Sequence, residues 1–204
     1  MLKKSTIQEK YVAYLEVEKS KFYGILIPCN TKEEAESIIL DVKKEYPKAR
    51  HYCYAYKIDD FEKISDDGEP SGTAGKPILS ALNYANLTNV VLIVVRYFGG
   101  TLLGSGRLLR TYSKCAADAT KGAKICNLVE CKKVRVCLDI ENYNLFKSFL
   151  EKSHFKIINT YFNDKITMDF LLPSDSNIDI ESLFDKKVKV VACIDYCYKE
   201  VKEW

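Results

Sequence analysis

Asn89-Val90-Val91-Leu92-Ile93-Val94-Val95-Arg96 runs directly into Tyr97-Phe98-Gly99-Gly100-Thr101-Leu102-Leu103-Gly104-Ser105-Gly106. A continuous apolar run of this length reads as a central strand buried on both faces. The glycine segment behind it connects that strand to a helix starting near Ser105 and running to about Ala123. Some twenty-five residues upstream lies a second glycine-punctuated stretch, Asp66-Asp67-Gly68-Glu69-Pro70-Ser71-Gly72-Thr73-Ala74-Gly75. Of the 9 glycines in the chain, seven fall in these two segments. Glycine loses more backbone entropy on folding than any other residue, so such clustering signals positive φ angles or close backbone approach.

Working outward, Tyr11–Glu18 and Lys21–Pro28 read as strands. Thr31 caps a helix whose first turn holds Glu33 and Glu34 and whose apolar positions are Ala35, Ile38, Ile39 and Val42. His51–Ile58 alternates, with Tyr52, Tyr54, Tyr56 and Ile58 on one face and His51, Cys53, Ala55 and Lys57 on the other. The acidic loop follows, then a helix from about Pro77 to Ala85. The first part of the chain is therefore expected as ββαβαβα.

After Gly122 the pattern restarts. Lys132–Ile140 reads as a strand, Asn142–Lys152 as a helix, and Lys156–Phe162 with Lys165–Leu172 as a hairpin turning at Asn163-Asp164. Ile178–Phe184 reads as a short helix and Val188–Tyr198 as a last strand. The order βαββαβ is that of a ferredoxin-like domain, with first and last strands adjacent. The expectation is an α+β chain of two domains, 1–128 and 131–204, joined near Leu128–Glu130.

The 204 residues suffice for two small cores, and 47% hydrophobic with 29% charged residues describes an ordinary globular composition. No apolar run approaches the roughly 20 residues of a membrane helix, and Met1–Lys10 lacks a signal core. The chain reads as cytoplasmic, without a membrane partner. Its eight cysteines are then expected as free thiols. With no Cys-x-x-Cys and two histidines, zinc is not expected. Residues 131–204 are charge-balanced, so the whole net +3 belongs to residues 1–130.

Three segments carry a resemblance: Ala49-Arg50-His51-Tyr52-Cys53-Tyr54-Ala55-Tyr56, Asp66 to Gly75 continued by Lys76-Pro77-Ile78, and Val95-Arg96-Tyr97-Phe98-Gly99-Gly100. Together they resemble the signature of the Impact/YigZ family over roughly residues 15–120. The remainder fits the C-terminal domain of the family's bacterial two-domain branch. The resemblance implies a first domain similar to the second domain of a small-subunit ribosomal protein. It implies a second domain similar to the last domain of the translocation elongation factor. Eukaryotic relatives regulate translation by competing for an activator of a stress kinase; they lack this C-terminal domain, and bacteria lack that kinase. The usual family pattern after the double glycine is roughly Leu-Gly-Ala-Gly-Gly-Leu-Val-Arg-Ala-Tyr. Here it is Leu103-Gly104-Ser105-Gly106-Arg107-Leu108-Leu109-Arg110-Thr111-Tyr112. Arg107 stands where a second glycine is common, which argues against a very close backbone–ligand approach there.

The candidate binding residues are Asp66, Asp67, Gly68, Glu69, Ser71, Gly72 and Thr73 of the acidic loop, Arg96, Gly99, Gly100, Gly104, Ser105, Arg107 and Arg110, and His51. Glycine-rich backbone entering a helix N-terminus offers free N–H groups to an anion or phosphate; a tight strand-to-helix turn has the same composition. Ser105 stands where a P-loop has lysine, so this is not one. Arg107, Arg110, Lys114, Asp118 and Lys121 share one stripe of the following helix. Such a stripe is either a solvated face or a surface for phosphates or an acidic partner. Asp66, Asp67 and Glu69 could hold Mg²⁺ or Ca²⁺, but carboxylates in such a loop more often pair with arginine, Arg96 being the candidate. His51 and Cys53 lie about 6.6 Å apart along their strand, too far for direct thiol activation. With no nucleophile elbow either, no catalytic residue, metal or cofactor is expected.

The expected function is that of a non-enzymatic, translation-associated binding protein contacting the ribosome, RNA or a translation-related protein. The alternative is a small-molecule or nucleotide-binding enzyme with a pocket between the acidic loop and the Arg-Gly-Gly loop. A third reading makes both loops buried packing turns.

Overall fold

A computed structural model describes the backbone of residues 4–201 and their side chains except those of 129, 130 and 194–201. The described chain falls into two compact units, one ending at Asn127 and the other Leu128–Val201.

The first unit contains strands β1 (Ser5–Ile7), β2 (Tyr11–Val17), β3 (Ser20–Pro28), β4 (His51–Ile58), β5 (Phe61–Ser65) and β6 (Val90–Tyr97), with helices α1 (Lys32–Glu45), α2 (Gly75–Tyr84) and α3 (Ser105–Gly122). Its antiparallel sheet runs β2-β3-β6-β4-β5. The apolar run occupies the middle, and every residue from Val90 to Val95 is fully buried. A strand buried on both faces needs a layer on each side. Leu92 and Val94 join Phe22, Leu26, Cys53, Ala55, Ile78, Leu82 and Tyr112 in a core under α2 and α3. Val91, Ile93 and Val95 join Ile25, Ile39, Val42 and Tyr56 under α1. The alternation read in β4 thus sorts its residues correctly between two cores.

Local chemistry sets the helix ends. Thr31 accepts the Glu34 backbone N–H at 3.1 Å, and Glu34 in return accepts that of Asn30 at 2.7 Å, a reciprocal N-terminal cap. Ala116 and Ala119 of α3 are fully buried, which lets the helix lie close on β3. There, a Cβ on Gly24 would sit 2.9 Å from the Cys115 carbonyl oxygen.

Two strands escape the sequence reading: β1 has three residues, and β5 (Phe-Glu-Lys-Ile-Ser) is an exposed edge strand without a buried face to announce it. They extend the expected ββαβαβα order without altering it.

The units divide between Asn127 and Leu128, beside the expected Leu128–Glu130 junction. These residues lie inside one strand, β7 (Ile125–Leu138), whose first three residues pair with β1 and whose Cys131–Leu138 pairs with β9 (Ile166–Pro173).

The second unit adds α4 (Tyr143–Lys152), β8 (Ile157–Phe162), α5 (Ile180–Leu183) and β10 (Val188–Val201). The strand order β10-β7-β9-β8 is the ferredoxin-like order, with first and last strands paired. Val134, Val136, Leu138, Phe146, Leu150, Met168 and Phe170 form its core. Ile140, the last residue of the expected strand, is 74% exposed because β7 ends at Leu138 and a 3-10 turn begins. Opposite the helices, Asp169 is fully buried under a two-pronged contact from Arg135 at 2.7 and 2.8 Å. Arg135 also lies over Tyr161 of β8. Cys137 is half-buried and Cys193 exposed; Cys197 lies outside the described side chains.

Candidate functional site

The loop between β5 and α2 folds around the Asp66 carboxylate. Oδ2 accepts the Gly72 N–H at 2.9 Å, and Oδ1 those of Ala74 at 3.0 Å and Gly75 at 2.8 Å. Asp66 therefore caps α2 from eight residues upstream, where Ala74 has no side-chain oxygen to do so. Burial pushes its carboxyl up, but the three N–H donors and nearby Lys76 outweigh that and hold it below the usual carboxylate range. Gly68 and Gly72 have φ of +83° and +77°, conformations available to glycine at little cost. Thr73 closes the turn, its hydroxyl donating to the Pro70 carbonyl at 2.6 Å.

The same loop is tied to β4, β6 and α3. Asp67 Oδ2 accepts the Tyr52 N–H at 2.7 Å, and its carbonyl bonds His51 Nδ1 at 2.8 Å, so Nδ1 carries the proton. The Cys53 thiol donates to the Asp66 carbonyl at 3.0 Å. Glu69 is the innermost group: its Oε1 accepts from Arg96 Nη1 at 2.6 Å and from the Tyr112 hydroxyl at 2.8 Å. Glu69 and Arg96 side chains are 3% and 5% exposed. The Arg96 guanidinium lies 5.5 Å from the centre of the Phe22 ring and 5.7 Å from that of Phe98, while its Nε is buried without a partner among the described residues. Cation–π contact offsets part of that unmade bond.

This arrangement leaves little chemistry available. The three carboxylates expected to supply charge or metal ligands each face separate N–H or O–H donors. No group of three potential ligands suited to a metal occurs among the described residues. His51 Nε2 is 3.9 Å from Glu69 Oε1, beyond hydrogen-bond reach. Burial drives the Cys53 thiol far above its ordinary value, away from the thiolate a nucleophile needs. Burial likewise raises Tyr112.

The second glycine segment separates into a buried and an open part. The Gly99 N–H donates to Ser20 Oγ at 3.0 Å, and a Cβ at Gly99 would run into the Lys19–Ser20 peptide. Gly100 and Gly104 have positive φ in open space. From Gly104 onward Ser105, Gly106, Arg107 and Arg110 are exposed, as are Phe98 and Leu102. Arg107 pairs with Glu18 at 2.9 Å and Lys114 with Asp118 at 3.0 Å, whereas Arg110 has no ion pair among the described residues.

The structure therefore unites His51, Asp66, Asp67, Glu69, Gly72, Thr73 and Arg96 in one clasp. Gly68 and Ser71 lie on its exposed rim. Gly100, Gly104, Ser105, Arg107 and Arg110 belong to the open start of α3. Sequence reasoning missed Tyr112, Ser20 and Phe22. Tyr112 carried one usable signal, a phenol at a core-facing position of α3, where a buried O–H requires a partner.

The model of the Impact N-terminal domain matches residues 18–120. The chain belongs to the Impact family. It is 34% identical over 170 residues to the family member YvyE of Bacillus subtilis, covering 80% of this chain and 77% of that one. A family member from Haemophilus influenzae is 37% identical over 156 residues, covering 74% and 76%. Protein IMPACT of the rabbit Oryctolagus cuniculus is 32% identical over 106 residues, covering 49% and 33%. A solved structure described as a hypothetical protein aligns over 94% of this chain and 98% of its own with a TM-score of 0.69 and 25% identity. The family match spans β3 through most of α3, so the whole clasp lies within it.

Proposed function

We propose that this Impact-family chain is a non-enzymatic, cytoplasmic, translation-associated binding protein. Its contact surface is Phe98, the exposed residues from Gly100 to Arg110 and the basic stripe of α3. The observation that carries this reading is the division of labour between the two glycine segments. The acidic one spends its carboxylates, and the neighbouring imidazole and thiol, on holding β4, β6, α2 and α3 together. The basic one is exposed over most of its length, with Gly100, Gly104 and Gly106 in open space and Arg110 without an ion pair among the described residues. Catalysis needs reactive groups in reach of a substrate, and the clasp offers none in that state. A binding surface needs exposed charge and shape. The link to translation rests on the family resemblance and on the second unit's ferredoxin-like order, the arrangement expected for the last domain of the translocation elongation factor.

The test is co-sedimentation of the full chain with ribosomal fractions of native lysate at low salt, comparing wild type with Arg107→Glu/Arg110→Glu. The expected result is at least a tenfold loss of association in the variant at an unchanged unfolding midpoint. Equal sedimentation of the two, or none for wild type, overturns the reading.

A further inference from the structure

One end of the first unit's sheet gathers three connections: the β2–β3 turn, the α1–β4 segment and the exit of β6. On the α1 side of that end Tyr23 is ringed by three tyrosines, with ring centroids 5.1 Å from Tyr14, 5.3 Å from Tyr46 and 6.0 Å from Tyr97. Strand alternation explains the grouping. Tyr14 is the cross-strand partner of Tyr23, and Tyr97 that of Lys21, two residues along the same face. α1 ends at Glu45 and leaves this end of the sheet to the rings. Tyr14 is 51% exposed, while Tyr23, Tyr46 and Tyr97 are half-buried.

The same end of the sheet carries Lys19 in the β2–β3 turn, Lys21, Lys48 and Arg50, all exposed and without an ion pair among the described residues. Their placement follows from the backbone. Lys21 opposes Tyr97, and the Tyr97 hydroxyl donates to the Pro47 carbonyl beside Lys48 at 3.2 Å. The Arg50 N–H donates to the Arg96 carbonyl at 2.8 Å. Of the acids nearby, Glu18 pairs with Arg107 and Glu45 with Lys10, while Glu16 accepts from the Tyr14 hydroxyl at 2.6 Å and stands opposite Lys21 on the neighbouring strand. Against four cations there stands one carboxylate without an ion pair among the described residues, Glu16, so a net positive charge borders the rings and a polyanion relieves the repulsion within it. An acidic protein would use the charge but not the rings. A single-stranded nucleic acid uses both, because bases stack on aromatic faces while phosphates follow the cations.

We propose that this end of the sheet binds single-stranded RNA, with Tyr14 and Tyr97 stacking bases and Lys19, Lys21, Lys48 and Arg50 engaging phosphates. The proposal deepens the binding reading above. It names the partner's class and adds a second surface, joined to the α3 surface at the Glu18–Arg107 pair.

The experiment is fluorescence anisotropy of the full chain with a labelled 12-nucleotide oligouridine at low salt, beside a 12-base-pair RNA duplex. Wild type binds the single strand at least tenfold tighter than the duplex. Four phosphate contacts give a slope of log K against log salt of about −3. Lys21→Glu/Arg50→Glu weakens binding at least tenfold. Tyr14→Leu and Tyr97→Leu, which keep apolar volume but remove the ring, each weaken it about five- to a hundredfold, with Tyr14→Leu leaving the unfolding midpoint unchanged. Duplex bound as tightly as single strand overturns the proposal, as does indifference to both tyrosine variants. So does loss of binding in Arg110→Glu but not in Lys21→Glu/Arg50→Glu. No RNA binding with ribosomal co-sedimentation intact sinks this proposal and leaves the binding reading standing; RNA binding without co-sedimentation does the reverse.

Discussion

Glu69, with a side chain 3% exposed, serves Arg96 and Tyr112 through a single carboxylate oxygen. Removing one partner of a buried pair leaves the other charge uncompensated. Glu69→Ala should therefore cost about 3–5 kcal/mol in urea unfolding, far more than Ser71→Ala on the exposed rim. Asp66 makes a pH-dependent contribution. Its folded carboxyl lies below its unfolded value, so its stabilisation is fully present above the unfolded pKa of about 3.9 and is lost as pH falls through the folded value. Urea midpoints taken from pH 7 down to pH 3 should fall on acidification, and Asp66→Asn should start lower and fall less. The thiols divide by burial. Burial pushes Cys29 and Cys115 up to about 12 and Cys53 higher still, whereas Cys193 is exposed. Alkylation at pH 8 followed by peptide mass mapping should mark Cys193 and spare those three until the chain is unfolded.

At the scale of elements, β6 and α1 were legible because their signals are local: an unbroken apolar run, and a capping threonine ahead of a 3.6-residue period. β5 was not, since an edge strand with every residue from Phe61 to Ile64 exposed has no burial pattern to impress on its sequence. The glycines show the same boundary. Gly99 and Gly106 look alike in sequence, yet Gly99 abuts the Lys19–Ser20 peptide while Gly106 sits in open space in the first turn of α3. Gly99→Ala should destabilise the first unit by several kcal/mol, as overpacking against backbone does. Gly106→Ala should be neutral or stabilising by about 0.4–1 kcal/mol. Chemical denaturation of the two variants side by side reads the difference. If Gly106→Ala also leaves partner binding unchanged, the glycine serves neither packing nor a ligand.

At the scale of the molecule, each unit carries its own core. In the second, Phe146 is fully buried against Phe149, Phe170 and Phe184. Phe146→Ala should cost about 3–5 kcal/mol there. Hydrogen exchange should show amides of α4, β8 and β9 opening while those of β6 keep wild-type protection. Apart from β1 and β5, the order of elements in both units could be written from the chain, because hydrophobic period, turn residues and caps act within a few residues of one another. So could the family, from the string Asp66 to Gly75. The sequence could not say what that string does, because its partners are distant in sequence: Tyr52 lies fifteen residues from Asp67, Arg96 twenty-seven from Glu69 and Tyr112 forty-three. Whether a carboxylate is a ligand or a structural acceptor depends on which donors folding brings to it. Only the tertiary structure turned the acidic loop inward and left the basic one facing out.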